Sequence, residues 1–269
     1  MSGIVFRISV AFLVGALAFM AGALYLSDYY VAEQRRLAAA GDPQSAMEAS
    51  RTAVRLDPFD TDALEARSFL LQQQRQYVAA AEALREAIRR DPNNYMPHLM
   101  LANLQLTQLD DLDGAVESYR EVLRLNPRSS IARASLAQAL VRKGDLEAAK
   151  AEYEKLAERG EISAQGLYDL GRIYVRTGEP GEGLRALRRA ERRAEGALDE
   201  LEGPLKEQQQ QAIVSMNLAI ADALVVMGRY DEAREVIAQS SSAQAPALLQ
   251  LLDSDPETYR ETVVNSEIY

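Results

Sequence analysis

The sequence predicts an all-α protein, a right-handed solenoid of helix pairs, and three observations lead there. Asp57-Pro58 and Asp91-Pro92 lie 34 residues apart, and Asn126-Pro127 follows after 35. A fixed period of that length is the signature of stacked helical hairpins. Small residues recur with nearly the same period at Ala80, Ala115, Ala149 and Gly183, and again after a longer interval at Ala233, where a large side chain would hold two crossing helices apart. No segment of any length alternates apolar and polar residues as a half-buried strand must.

The first element precedes the array. Ile8 to Leu26 is 19 residues without a charge, enough to cross a ~30 Å hydrocarbon core at ~1.5 Å per residue. Residues 1–7 form a short tail ending in Arg7. Tyr25, Tyr29 and Tyr30 lie at the far end, where aromatic rings favour the membrane interface. The expectation is a single-pass signal anchor over 8–26, with the N-terminus cytoplasmic and the array extracytoplasmic. The alternative is a secreted protein, cut at the small-x-small site Ala21-Gly22-Ala23. The apolar run continues past that site through Leu26, which favours the anchor. Gly15, Ala18 and Gly22 could also pack against a second membrane helix.

Each repeat reads as two helices. The clearest unit runs from Thr61 to Asn94, with Leu64, Arg67-Ser68 and Leu71 in its first helix and Ala80, Leu84 and Ala87 in its second. Arg67 falls on the apolar face and is expected to snorkel to its edge. The next unit has Leu101-Ala102, Ala115, Tyr119 and Val122, with one extra residue placed at Leu109-Asp110-Asp111. The fourth carries Leu136-Ala137, Leu140, Ala149, Tyr153 and Leu156; the fifth Leu167, Leu170-Gly171, Tyr174, Gly183 and Leu187; the sixth Ile220-Ala221, Leu224, Ala233 and Ile237. Gly41, Gly144, Gly178 and Gly228 follow the first helix of their units, where a residue at positive φ ends a helix at little cost. Pro58, Pro92 and Pro127 stop the second helix or start the next first helix.

These residues resemble the tetratricopeptide repeat family over Ser27 to Ser240, as about five good repeats and a degenerate first one. In that first unit Glu33-Gln34 sit where Leu-Gly is usual, so its first helix is expected to continue the membrane segment instead of packing as an ordinary repeat helix. Late in the array the second helix of the fifth unit is expected to run from Ala186 to Glu202, and Gly203-Pro204 to break it before a long helix from Leu205 to Met227. That is either length variation or a protruding hairpin. Residues 241–269 are read as a short capping helix opened by Pro246, then an acidic tail at best half ordered.

The resemblance implies that the first helices line a concave groove that binds protein. On the family frame the groove positions are Phe69, Gln72 and Gln73; Leu99, Asn103, Leu106 and Thr107; Gln138, Val141 and Arg142; Tyr168, Arg172, Val175 and Arg176; and Leu218 and Asp222. Arg142, Arg172 and Arg176 form a basic cluster in a protein of net charge -10, and arginine forks suit carboxylates. The expected ligand is an extended peptide or helix with acidic groups, unless the arginines pair with neighbouring Glu or Asp. The chaperone-tail clamp of some family members is not reproduced: Asn103 matches one of its positions, its lysine and second asparagine have no match. Residues 40–58 also resemble repeat modules attached to O-antigen ligase or polymerase-type membrane proteins, which implies a place beside cell-surface polysaccharide machinery.

Composition narrows the function further. A pI near 4.8 argues against nucleic acid as a partner. The absence of cysteine excludes disulfides, zinc–thiolate sites and thiol catalysis. His98 is the single histidine and is expected to be buried and structural. The glycine-dense stretch Gly178 to Gly183 sits at a turn, and Asp110-Asp111 reads as a solvated loop. No catalytic residue, metal site or cofactor is expected, and the chain is not read as an enzyme. The function expected is a membrane-tethered scaffold for protein partners, among them an integral membrane complex. The alternative is a chaperone-like export quality-control factor, which would call for a more apolar, adaptable groove.

Overall fold

The computed structural model describes residues 2–57, 61–266 and 268. Pro58 lies outside the described residues. Among those described there are fourteen α-helices and no strand. The chain divides into two compact units, residues 1–127 and 128–269.

The N-terminal unit holds three helix pairs: α1 (Ser2–Ala39) with α2 (Pro43–Leu56), α3 (Asp62–Gln73) with α4 (Tyr77–Arg90), and α5 (Tyr95–Leu104) with α6 (Leu112–Leu125). Helix α1 runs unbroken from the apolar segment into the first pair. Its apolar half is exposed, with Phe12, Leu17 and Phe19 free of protein contacts on most of their surface, and mean hydropathy reaches 2.1 there. Its second half does pack as a repeat helix, contrary to the expectation from Glu33-Gln34. Ser27 Oγ donates to the Ala53 carbonyl at 3.1 Å, Val31 packs with Ala53 and Ala63, and Gln34 is buried where the family frame has glycine. Glu33 turns outward and accepts two bonds from Arg36.

Local chemistry explains the turns. Gly41 adopts φ +79°, and Asp42 then caps α2 by accepting from the Ser45 amide at 3.1 Å, so one dipeptide ends a helix and starts the next. Arg75 and Asp110 take the glycine's place in the second and third pairs, at φ 59° and 52°. The extra residue of the third unit is absorbed as a π-helical turn over Gln105–Leu109, just before the predicted position, because a wider turn accepts one residue more than an α turn. Buried Gln105 bridges it, donating to Asp111 Oδ2 and accepting from Ser118 Oγ, each at 2.8 Å. Between pairs, Asp91 ends α4 and Asn94 caps α5. His98 is half-buried, not buried: its Nε2 rests 3.4 Å from the Pro92 carbonyl at the rim of this turn. Arg67 is half-buried at the helix edge, as its long stem predicts.

The C-terminal unit holds α7 (Ser130–Lys143) with α8 (Leu146–Glu158), α9 (Ala164–Arg176) with α10 (Pro180–Gly196), α11 (Gly203–Val226) with α12 (Tyr230–Gln239), then α13 (Ala245–Ser254) and α14 (Pro256–Asn265). A largely buried ion pair joins α7 and α8, Arg133 Nη1 to Glu152 Oε2 at 2.5 Å. Tyr153 of α8 reaches α9, its hydroxyl donating to buried Asp169 at 3.0 Å, and Gln165 supplies a second donor to that carboxylate. The α9–α10 crossing is the tightest: a Cβ built on Gly183 would lie 2.8 Å from the Gly171 carbonyl oxygen and 2.8 Å from Val175.

Two expectations fail here. The second helix of the fifth pair stops at Gly196, not Glu202; a 3-10 turn over Leu198–Glu200 separates it from α11, which opens on Gly203 at φ +56°. Glycine at its end and the acidic run after it give the helix no reason to continue. The projecting hairpin is correspondingly short, tied by Gln209 donating to the Ala194 carbonyl at 3.0 Å. The tail is not irregular: α14 is a regular helix capped by Asp255, which accepts from the Thr258 amide at 3.0 Å, and Tyr259 and Val263 are buried.

The crossing yields a paired prediction. Gly183→Val forces the α9 backbone away and should cost about 1–3 kcal/mol. Gly181→Ala, in the same helix with open space around it, should be neutral or stabilise by up to about 1 kcal/mol. Thermal unfolding by circular dichroism checks both; equal shifts would contradict the crossing geometry.

Candidate functional site

The candidate site is the face presented by the first helix of each pair. In the N-terminal unit it forms an apolar cavity of about 400 Å³ between α1, α3 and α5. Gln34, Ala38 and Ala39 come from α1, Glu65, Ala66, Phe69 and Gln73 from α3, and Met100 from α5. Phe69 is 56% exposed, a large aromatic left in solvent at the lip of an apolar hollow. Gln34 Oε1 is buried there without a hydrogen-bond partner, although buried carbonyl oxygens usually have one.

The predicted groove residues of this unit do not all face the hollow. Gln72 turns along its own helix, donating to Ser68 Oγ at 3.3 Å. Asn103 is exposed, but its side-chain Oδ1 accepts from the buried Tyr119 hydroxyl at 2.6 Å. Leu106 is not on the surface at all: the π-helical turn that contains it carries it into the core, where it is 5% exposed. Leu99 is half-buried and Thr107 exposed.

In the C-terminal unit Gln138 and Arg142 stand exposed on α7, whereas Val141 and Val175 are buried and line no groove. On α9, Tyr168, Arg172 and Arg176 come together. The Arg172 guanidinium lies over the Tyr168 ring, 5.3 Å from its centroid, in cation–π geometry. Arg176 Nη1 donates to the Arg172 carbonyl at 3.2 Å. Its other nitrogens leave the helix: Nε donates to the Ser266 carbonyl at 2.9 Å and Nη2 to Ser266 Oγ at 2.7 Å. Asp222 of α11 is the acidic group that acts on both arginines. Helix α14 lies on this face against α9 and α11, and Tyr259 donates its hydroxyl to Asp222 of α11 at 3.0 Å. Tyr259 and Ser266 were not anticipated as site residues. The signal was present: Asp255-Pro256 combines a cap with a proline at the first helical position, and Tyr259 and Val263 follow at a four-residue spacing.

Asp222 is the charge at the centre of this contact. Burial pushes its carboxyl up to about 6, against the opposing pull of the Tyr259 hydroxyl and of Arg176 and Arg172. Burial and neighbouring Arg172 in turn lower the Arg176 guanidinium, with Asp222 opposing. Among the described residues no cluster of His, Cys, Asp or Glu could hold a metal ion.

The sign of the Asp222 effect is testable. Its folded pKa lies above the ordinary value of 3.8, so its contribution to stability is fully present below that value and is lost as pH rises through about 6. The melting-temperature difference between wild type and Asp222→Asn should therefore be flat above about pH 7 and move in wild type's favour as pH falls from about 6 towards 4. A shift the other way would show that the arginines outweigh burial.

A tetratricopeptide repeat model matches residues 32–95 and 70–130, and a second matches 106–164. No curated protein sequence matches the chain. Solved structures that share the fold include three repeat proteins. PilF of Pseudomonas aeruginosa is 16% identical, covering 89% of this chain and 97% of its own, with a TM-score of 0.58. PilW, a type IV pilus biogenesis factor, is 16% identical over 83% of this chain and 98% of its own, with a TM-score of 0.56. YrrB, a repeat protein with an unusual peptide-binding site, is 20% identical over 60% of this chain and 82% of its own, with a TM-score of 0.52. The resemblance of residues 40–58 to O-antigen ligase modules has no counterpart among these three. With the period in the sequence, the paired helices and these matches agreeing, the chain carries tetratricopeptide repeats over residues 32–164, a repeat type that serves protein–protein interaction.

Proposed function

We propose that the protein is a membrane-tethered adaptor that holds protein partners on its repeat face during assembly of a membrane or extracytoplasmic complex. One observation carries this reading: α1 passes without a break from an exposed apolar segment into the first helix pair, which Ser27 and Val31 pin to α2. A span joined this way mounts the repeats at a fixed distance from the bilayer. From Leu26 to Arg35, at the lip of the apolar cavity, the helix rises about 14 Å at 1.5 Å per residue. The cavity therefore lies within reach of the juxtamembrane segment of an integral membrane protein.

The N-terminus is cytoplasmic in this reading and the repeats extracytoplasmic. Two complexes suggest themselves as hosts. The fold shared with PilW, a pilus biogenesis factor, supports an envelope assembly machine. The resemblance of residues 40–58 supports cell-envelope polysaccharide machinery. The chaperone-like alternative draws less support, because the face mixes Phe69 and Met100 with Gln73, Gln138 and Arg142 and lacks the broad apolar surface of a promiscuous holder.

Membrane fractions of the expressing cell should contain the intact N-terminus by mass spectrometry; a mature chain starting at Leu24 would mean a cleaved signal instead. Protease added to cells with an opened outer barrier should digest the repeats, and digestion only after full lysis would overturn the orientation. Crosslinking followed by affinity capture should recover stoichiometric partners, and Phe69→Glu should reduce their recovery at least about tenfold, in line with an anchor residue in a buried contact. Undiminished recovery would remove the cavity from the proposed interface.

A further inference from the structure

The last helix sits where a ligand would. In this family the first helices of the pairs form the binding face, and α14 lies across α9 and α11 on that face. It is ten residues long and is joined to α13 through Asp255 alone. An isolated helix of that length is marginal in water, so α14 depends on its seat. The seat makes three kinds of contact. Tyr259 and Val263 are buried in the apolar cluster that includes Leu224 and Val225. The Tyr259 hydroxyl donates to Asp222. Past the helix end, Arg176 takes the Ser266 carbonyl and hydroxyl in a two-nitrogen grip.

That last contact has a recognisable chemistry. The final carbonyls of a helix have no partner within the helix and carry the negative end of its dipole. A guanidinium fork beside them suits a helix end, and at Ser266, the extended residue that caps α14, it takes one backbone carbonyl, which any sequence supplies, and one side-chain hydroxyl. We propose that α14 is a displaceable stand-in for the ligand of this face, and that the ligand is a short amphipathic helix with a tyrosine on its buried side and its C-terminal carbonyls against Arg176. This rests on the first-helix face being the binding face, and it replaces an acidic peptide with a helix end as the chemistry Arg176 recognises.

The probe is a synthetic peptide of residues 255–269, labelled at its N-terminus, used with the full chain in detergent. Tyr259→Ala/Val263→Ala unseats the chain's own helix. The peptide should bind this variant at least tenfold more tightly than wild type, and adding Arg176→Glu should cost at least tenfold. The chain has no cysteine, so a spin label on Val264→Cys, an exposed position, reports on the seated helix alone. Excess unlabelled peptide should mobilise that label. The proposal is overturned if the label stays immobile at peptide concentrations that saturate the unseated variant, or if the peptide does not bind that variant. It is equally overturned if unseating α14 unfolds α9 to α12, since α14 would then be a permanent cap. None of these measurements uses a cellular partner. A failed affinity capture with intact peptide binding would count against the adaptor reading only, and the reverse result against this one only.

Discussion

Every helix pair depends on how closely its two helices approach, and that distance is set by what stands at their crossing. At Gly171 and Gly183 the backbones nearly touch, and any Cβ on Gly183 would press on the Gly171 carbonyl. At the equivalent crossings Ala80, Ala115, Ala149 and Ala233 are fully buried, which leaves one methyl of separation. The turn fixes the relative direction of the two helices, and the small residue fixes the distance between them. Large side chains then have defined holes to fill: Leu84, Tyr119, Tyr153 and Leu187 are buried against the neighbouring helices. Two of these are tyrosines, and a buried hydroxyl needs a partner. Asn103 and Asp169 supply it, so polar atoms also specify which helix lies beside which.

The first pair of the N-terminal unit and the last pair of the C-terminal unit are packed in different ways. In the N-terminal unit, the second half of α1 packs on α2 as the first helix of the first pair although Glu33-Gln34 replace the family's usual residues. Burying Gln34 where glycine is customary leaves its Oε1 without a partner, a local cost that the apolar contacts of Val31 and the bond from Ser27 offset. At the C-terminal end, α13 and α14 follow the sixth pair. Leu252 of α13 joins the same buried cluster as Leu224 and Ile237, so α13 serves as cover. Helix α14 instead lies on the side that other repeats leave open.

The repeat was legible because its determinants are local. Positive-φ glycines, helix caps and small crossing residues act within a few positions of themselves, and Gly41, Gly144, Gly178 and Gly228 all adopt the backbone expected of them. The insertion in the third unit could be counted but not fully placed, since either a longer loop or a wider helical turn absorbs one residue; buried Gln105 decides for the turn by bonding Asp111 and Ser118. That choice also moved Leu106 from the surface to the core. The end of α10 at Gly196 was misjudged because alternating Arg, Glu and Ala residues read as good helix formers whether or not anything packs on them. The candidate site was legible only in part. A family frame assigns positions to a face, but it is silent on whether another segment of the same chain returns to cover that face. Of the expected cluster of Arg142, Arg172 and Arg176, the last two lie together on α9, and Arg176 also reaches acceptors 90 residues away at Ser266.

The contacts of α14 bear on why such an arrangement would be retained. A permanent cap is best made from apolar area alone, because burying charge carries a desolvation cost. Here the contact places an arginine, a tyrosine hydroxyl and the Asp222 carboxyl in one half-buried cluster, and burial raises that carboxyl towards the neutral form. The Tyr259 hydroxyl on Asp222 and the Arg176 nitrogens on Ser266 fix where α14 lies on α9 and α11. The same groups are specific in geometry and indifferent to sequence: a phenol, a helix end and a pair of apolar side chains recur in many amphipathic helices. A contact held by a few directional polar groups suits a segment that leaves when a better-matched helix arrives.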